Sequence, residues 1–231
     1  MNHDLNQAES KPHAPKIFVI GLPRTATTSV CVAMLKLGFP TAHTAYVQSA
    51  FDQAQVIADT PIFCDYQALD SHYPGSKFIY LERDLASWLP SIKQLLMRMS
   101  ANLLSEKGGF NPIIKRCFKT TFSPFSVENI QRDEFLAGCY QRHIRQAKRY
   151  FNTRSADFLM LNVAQPDSFT QLVDFLGLAP HEVNVTGFEK INIAGKVTAW
   201  NEIKHPLKIA STRGGKIDKL DLILLPSPEA R

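Results

Sequence analysis

The sequence predicts an α/β fold in which helices flank a central, mostly parallel sheet. Three short and mainly apolar runs, at residues 16–21, 77–82 and 157–162, are typical of strands that are buried on both faces. Between these runs, apolar residues recur with helical spacing, so strands and helices alternate along the chain. Such alternation favours a parallel sheet covered by helices.

The first predicted strand leads through a short polar loop into the first helix. The strand is Lys16-Ile-Phe-Val-Ile-Gly21, and the loop reads Leu22-Pro-Arg-Thr-Ala-Thr-Thr-Ser29. Val30 and Met34 then keep helical spacing, and Gly38 supplies a stop signal. Strand, tight loop and helix form the first half of a βαβ unit.

The middle of the chain contains the second predicted strand between two helical segments. Residues 45–72 have mostly helical character, with a break expected at Asp59-Thr60-Pro61 because proline disfavours helix in the residue before it. The turn Tyr73-Pro-Gly-Ser76 then introduces the strand Lys77–Glu82. A helix from about Asp84 to Leu104 follows, with leucines and isoleucine along one side.

The second half of the chain is less regular. Residues 105–125 are rich in glycine and proline and are expected to be irregular, whereas a long helix is expected from about 127 to 151. The third strand, 157–162, precedes a helix with Pro166 in its first turn and Gly177 at its end. The last fifty residues have no clear periodicity.

Composition sets the broad class of protein. The chain has 231 residues, of which 45% are hydrophobic, and this suits a single globular domain over residues 16–231. Residues 1–15 are polar and are expected to form a disordered leader that resembles no signal peptide. No apolar run is long enough to cross a membrane, and the four cysteines form no C-x-x-C pair, so a reducing cytoplasm is the expected location.

The chain is mildly basic, with a formal charge of +5 and a pI near 9.0. Such a charge suits a protein that binds a small polyanion. Nucleic acid is not the expected partner, because the sequence has no recognition-helix motif, no aromatic RNA-binding motif and no dense Lys/Arg run. The oligomeric state is left open by the sequence.

The loop after the first strand has the features of a phosphate or sulfate site. Free backbone N–H groups and the positive end of the helix dipole meet at such a loop. In the triphosphate-binding pattern G-x-x-x-x-G-K-[ST], laid from Gly21, the second glycine is replaced by Ala26 and the lysine by Thr27. A positive charge stands instead at Arg24. The alternative interpretation is an ordinary strand-to-helix turn with threonine caps.

These replacements bear on the chemistry. An ATP-using enzyme needs that lysine and a magnesium ion to neutralise the transferred phosphoryl group. A sulfuryl group carries one negative charge less, so a single cation such as Arg24 suffices and no metal is required.

Two ordered motifs resemble those of the sulfotransferases that use 3′-phosphoadenosine 5′-phosphosulfate (PAPS). The segment 22–29 resembles the family's 5′-phosphosulfate loop. The segment 77–91 resembles its 3′-phosphate motif, in which an arginine at a strand end precedes a serine by eight residues, here Arg83 and Ser91. The resemblance extends over roughly residues 16–178, is most like a bacterial branch, and implies an architecture similar to the P-loop NTPases.

The resemblance also implies which residues bind PAPS and its product, 3′,5′-adenosine bisphosphate (PAP). The 3′-phosphate would contact Arg83 and Ser91. The late segment Ser211–Lys216 resembles a family segment that folds over the same phosphate, which points to Arg213 and Gly214, and the alternative interpretation of this segment is a solvated basic turn. The 5′-phosphosulfate would contact Arg24, Thr25, Ala26, Thr27, Thr28 and Ser29.

Ala26 departs from the glycine that the family usually has at this position. If the position requires a positive φ, an alanine there is strained by roughly 1 kcal/mol.

The expected general base is Asp59. Cytosolic family members use the histidine of K-T-H-x-P, and the corresponding stretch here, Ile57-Ala-Asp-Thr-Pro61, has Asp59 in its place and Ile57 in place of the lysine. Asp59 is equally well interpreted as a helix N-cap. Asp65 is a lesser candidate, and His43 is expected to be a hydrogen-bonded structural residue.

The resemblance therefore implies a sulfotransferase that acts on a hydroxyl or amine of a small-molecule acceptor, with Arg24 and Asp59 as catalytic residues and PAPS as donor. Two alternatives stay open at this point. One is an ATP-dependent P-loop small-molecule kinase, and the other is a non-catalytic nucleotide-binding relative. The sequence does not identify the acceptor.

Overall fold

The computed structural model describes residues 14–189, 192–193, 196–197 and 200–218. Residues 1–13, which form most of the expected leader, lie outside the described residues, as does the end of the chain after residue 218. The division into a leader and one domain over 16–231 therefore stays a prediction.

The central sheet confirms the predicted α/β fold, and all of its pairings are parallel. The strand order is β2-β3-β1-β4-β5, so the chain builds one side of β1 first and the other side later. This reversal leaves a crevice at the carboxyl end of β1, where parallel sheets bind ligands. The strands are β1 (Ile17–Val19), β2 (Thr41–Ala42), β3 (Val56–Ala58), β4 (Lys77–Glu82) and β5 (Phe158–Asn162).

Helices cover the sheet and carry the apolar residues that bury it. No helix among the described residues is both long and apolar enough to cross a membrane. An antiparallel pair, β6 (Asn192–Ile193) and β7 (Lys196–Val197), lies in the C-terminal part. The helices are α1 (Thr27–Lys36), α2 (Gln48–Gln53), α3 (Ile62–His72), α4 (Leu85–Leu104), α5 (Pro112–Thr121), α6 (Val127–Gln131), α7 (Asp133–Tyr150) and α8 (Ser168–Leu176).

Residues 45–72 are mostly helical and are broken at 59–61, as predicted, but the prediction missed a short strand in this range. The strand β3 lies between α2 and α3, and its three residues are fully buried between β2 and β1. Three apolar residues carry no period that separates a strand from a buried helix, so only pairing with β1 and β2 makes them a strand. The two-residue strand β2 escaped prediction for the same reason.

Two further boundaries differ from the prediction. The supposedly irregular stretch 105–125 contains α5, which begins after Asn111, whose side chain accepts a hydrogen bond from the Ile114 amide. The long helix at 127–151 is divided at Arg132 into α6 and α7. Pro166 precedes α8 and is not in its first turn, while Gly177 ends α8 with a φ of 71° as expected.

Candidate active site

The carboxyl edge of the sheet collects polar side chains from four neighbouring strands. His43 follows β2, Asp59 follows β3, the loop with Arg24 follows β1, and Arg83 follows β4. Because parallel strands all end at this edge, residues far apart in the sequence meet there.

The first turn of α1 has no side-chain cap. Its N-cap is Ala26, and no side chain caps the helix or places a negative charge in its first turn. The first N–H groups of a helix have no intrahelical acceptors, so they are available to an anion. Thr27 and Thr28 do not cap the helix, and their hydroxyl oxygens lie within hydrogen-bond distance of His43 Nε2.

The backbone of this edge is held in an unfavourable conformation. Among the described residues, the non-glycine positions with positive φ are Arg24 (73°), Ala26 (75°) and Asp59 (57°), and each lies at the site. Such conformations cost about 1–2 kcal/mol each and collect where a fold positions functional groups. The condition stated for Ala26 is met, because its φ is 75°.

The loop after β1 is held by β4 and α4. Arg83 Nη1 donates a hydrogen bond to the Arg24 carbonyl at 2.8 Å, and the Trp88 indole donates to the Pro23 carbonyl at 3.0 Å. Arg24 Nε in turn donates to Ser91 Oγ at 2.8 Å. The structure therefore brings together Arg24, Arg83 and Ser91, which the two sequence motifs had indicated separately.

The positive charges of Arg24, Arg83 and Arg98 lie close enough to affect one another. Burial lowers the pKa of the Arg24 guanidinium, and the positive charges of Arg83 and Arg98 lower it further. Among the described residues, none of these three arginines forms an ion pair with a carboxylate. Sequence reasoning missed Arg98, although it lies two helical turns beyond Ser91 on the same face of α4.

Thr25 differs in role from the two threonines that follow it. Its hydroxyl donates to the Leu22 carbonyl at 2.6 Å, and the residue is only 1% exposed. The Thr25 side chain therefore closes the loop on itself, whereas Thr28 and Ser29 are partly exposed at the start of α1.

His43 lies at the centre of the site, which the sequence did not show. Its Nε2 atom is 3.2 Å from Thr27 Oγ1, 3.1 Å from Thr28 Oγ1 and 4.0 Å from Asp59 Oδ2. The imidazole stacks on Trp200, with 5.4 Å between ring centroids. Burial lowers the pKa of His43 more than the Asp59 carboxylate raises it. The expectation of a hydrogen-bonded histidine is met, but its partners belong to the site.

Asp59 faces the same cluster and does not cap a helix. Its side chain is 17% exposed, and Oδ1 accepts a hydrogen bond from the Thr60 hydroxyl at 3.0 Å. The N-cap of α3 is Pro61, with no side-chain cap, so the N-cap interpretation of Asp59 is wrong. The lesser candidate Asp65 is paired with Arg116 at 2.5 Å.

Arg213 is bound within its own segment. Its guanidinium, 56% exposed, forms two hydrogen bonds to Asp218, at 3.0 and 2.5 Å. The backbone of Arg213 pairs with Lys216 around Gly214, which has a φ of 58°. This turn is near the site, because Ser211 bonds both the Tyr46 amide and the Thr44 hydroxyl.

Residues that match known sulfotransferases extend through most of the fold. The family model of the sulfotransferase domain matches residues 16–197. The chain belongs to this sulfotransferase family. Both motif segments, 22–29 and 77–91, lie inside the matched range, whereas Arg213 and Gly214 lie beyond it. A sulfotransferase domain supports sulfuryl transfer as the general activity. No curated protein matches the chain.

The residues of the site fit an anionic ligand. Guanidinium groups that form no ion pair with a described carboxylate, an uncapped helix end and a loop with positive φ angles all favour the binding of phosphate or sulfate groups. Among the described residues, no group of three or more His, Cys, Asp or Glu side chains is placed to hold a metal ion.

Proposed function

We propose that this sulfotransferase moves a sulfuryl group from PAPS to a hydroxyl or amine of a small-molecule acceptor. The observation that carries the proposal is the meeting of Arg24, Arg83 and Ser91 beside the uncapped start of α1. Membership of the sulfotransferase family supports the reaction type.

The donor would be held at its two anionic ends. The first-turn N–H groups of α1, with the Thr27, Thr28 and Ser29 side chains, would bind the 5′-phosphosulfate. Arg83 and Ser91 would bind the 3′-phosphate. A guanidinium has five N–H donors, and Arg83 spends one on the Arg24 carbonyl, so further donors stay available for a phosphate. Arg213 and Gly214 would close over the same phosphate, which requires Arg213 to leave Asp218.

Catalysis is proposed to be electrostatic, with one proton acceptor. PAPS supplies a sulfuryl group already activated by its bond to a phosphate. Arg24 would stabilise the negative charge that develops on the phosphate oxygen as that bond breaks. Asp59 would take the proton from the acceptor hydroxyl or amine, and no metal is required.

The donor site is tested by calorimetric titration with PAP in EDTA, with ATP and 5′-AMP as comparisons. We expect metal-free binding that needs the 3′-phosphate and falls at least tenfold in Arg83→Ala, the loss typical of a charge-assisted contact. Arg149→Ala is the matched control, because it removes an exposed arginine of α7 that lies outside both motif segments. No binding of PAP in EDTA, or tighter binding of ATP in a parallel titration with magnesium and no EDTA, would refute the proposal and favour the kinase.

The catalytic role of Asp59 needs a separate test. Asp59→Asn should bind PAP as wild type does. In the presence of an acceptor, the variant should convert PAPS to PAP about 10²–10⁴-fold more slowly. Alcohols, phenols, amines and sugars form the acceptor panel. Unchanged turnover would refute the role of Asp59.

Location in the cytoplasm stays a prediction, supported by four free cysteines.

A further inference from the structure

His43 is held by contacts from three separate parts of the chain. Thr27 and Thr28 come from α1, Asp59 from the end of β3, and Trp200 from the C-terminal segment. The Trp200 ring is itself contacted by Lys208, whose ammonium group lies 5.1 Å from the ring centroid and donates to the Trp200 carbonyl. Several contacts therefore fix the orientation of the His43 imidazole, although His43 has no role in the proposed function.

Both threonine hydroxyls contact the same ring nitrogen of His43, and this restricts the directions in which their hydrogen atoms can point. If Nε2 of His43 accepts a hydrogen bond, at least one threonine must turn its single hydrogen toward the ring. If Nε2 carries the hydrogen, the oxygens of Thr27 and Thr28 accept it, and both hydroxyl hydrogens can turn away from the ring.

The surroundings favour the second arrangement. The Asp59 carboxylate lies 4.0 Å from Nε2, and a nearby negative charge favours a hydrogen on that atom. Burial, together with Lys208, disfavours a second proton, so the ring stays neutral while Nε2 donates. Thr27 and Thr28 stand at the start of α1, where an anion would need donors.

We propose that His43 is a positioning residue whose Nε2–H donates to Thr27 and Thr28, so that both hydroxyl hydrogens face the 5′ anionic end of the donor. This inference rests on the proposed function, since it assumes that the nucleotide binds at the start of α1. It adds that the affinity of the site depends on a single ring hydrogen outside the two sequence motifs.

The test replaces His43 with residues that keep or move the donor. The amide nitrogen of Gln reaches the place of Nε2, that of Asn reaches the place of Nδ1, and Leu has no donor. In titrations with PAP in EDTA, we expect His43→Gln to bind within about threefold of wild type. His43→Leu and His43→Asn should bind tenfold to a hundredfold more weakly, the range for hydrogen bonds to a charged group. Thermal unfolding shows whether each variant is folded.

A double-mutant cycle separates positioning from a general structural effect. In a Thr27→Val/Thr28→Val background, which lacks the hydroxyls, His43→Leu should cause no further loss of PAP affinity. A second measurement uses only the wild-type protein. ¹⁵N NMR of the imidazole in the PAP complex should show the hydrogen on Nε2.

Each outcome decides the inference. Equal PAP affinity of wild type and His43→Leu, an additive cycle, or a hydrogen on Nδ1 in the complex would overturn it while leaving the proposed function intact. A wild-type protein that binds no PAP would overturn the proposed function, and this inference with it.

Discussion

Gly21 stands where the fold leaves little room for a side chain. Gly21 lies between β1 and the loop at residues 22–29, where the chain passes alongside β4. A Cβ atom added at Gly21 would lie 2.5 Å from the Leu81 Cβ atom, 2.7 Å from Thr25 Oγ1 and 2.9 Å from the Leu81 amide nitrogen. Ordinary contacts of this kind lie at 3.4–4 Å, so the Gly21→Ala variant must separate the loop from β4 by about an ångström.

The neighbours of Gly21 cannot yield easily. Leu81 belongs to β4, which pairs with β1 on one side and with β5 on the other, and Thr25 is fully engaged in the loop. We therefore expect Gly21→Ala to lower the free energy of unfolding by about 1–3 kcal/mol, the usual cost of overpacking.

The same displacement should reach the site. Leu81 stands two residues before Arg83, and Thr25 stands next to Arg24, so the contact between those arginines would be disturbed. Misplacement of a catalytic group by an ångström can cost about a hundredfold in rate. Turnover and PAP affinity of Gly21→Ala should both fall.

Urea unfolding and PAP titration test this prediction. Gly138→Ala is the matched control, since a Cβ atom there meets nothing within 4 Å on α7, and the helix should gain up to about 1 kcal/mol. If Gly21→Ala unfolds at the same urea concentration as wild type and binds PAP equally well, the reasoning from the Leu81 contact is refuted.

Three further predictions concern separate parts of the molecule. Ala26→Gly should raise the free energy of unfolding by about 0.5–1 kcal/mol, because relief of the αL conformation outweighs the entropy of glycine; a lower midpoint in urea contradicts this. Asp218→Asn should strengthen PAP binding a few-fold by releasing Arg213, whereas Arg213→Ala should weaken it; equal affinities of both variants and wild type would exclude Arg213 from the site. Burial lowers the pKa of His143 to about 4, so the protein should lose about 3 kcal/mol of its free energy of unfolding as the pH falls from 6.5 toward 4 and this imidazole must be protonated. Urea midpoints that stay constant over that pH range, or that fall equally in His143→Gln, would contradict this prediction.

The parts of the site that were predictable lie on continuous segments. The loop with Arg24 and the residue Arg83 each follow a short apolar run, so local sequence placed them correctly at strand ends, with Ser91 in the helix that follows. The positive φ at Ala26 was also accessible, because it belongs to the local geometry of one turn.

Other residues acquired their surroundings only on folding. Asp59 follows a strand of three residues, which has no sequence period of its own and forms only by pairing with β1 and β2. His43 follows an even shorter strand, and its contacts come from residues 27, 28, 59 and 200. No local pattern encodes such contacts.

By itself, the sequence determined the α/β fold class and the two motif segments, since each depends on short-range spacing. The tertiary structure decided that His43 belongs to the site, that Asp59 caps no helix, and that Arg213 is paired with Asp218. These contacts join residues that are distant in the chain or compete for one partner, and only the packing of the parallel strands settles which of them meet.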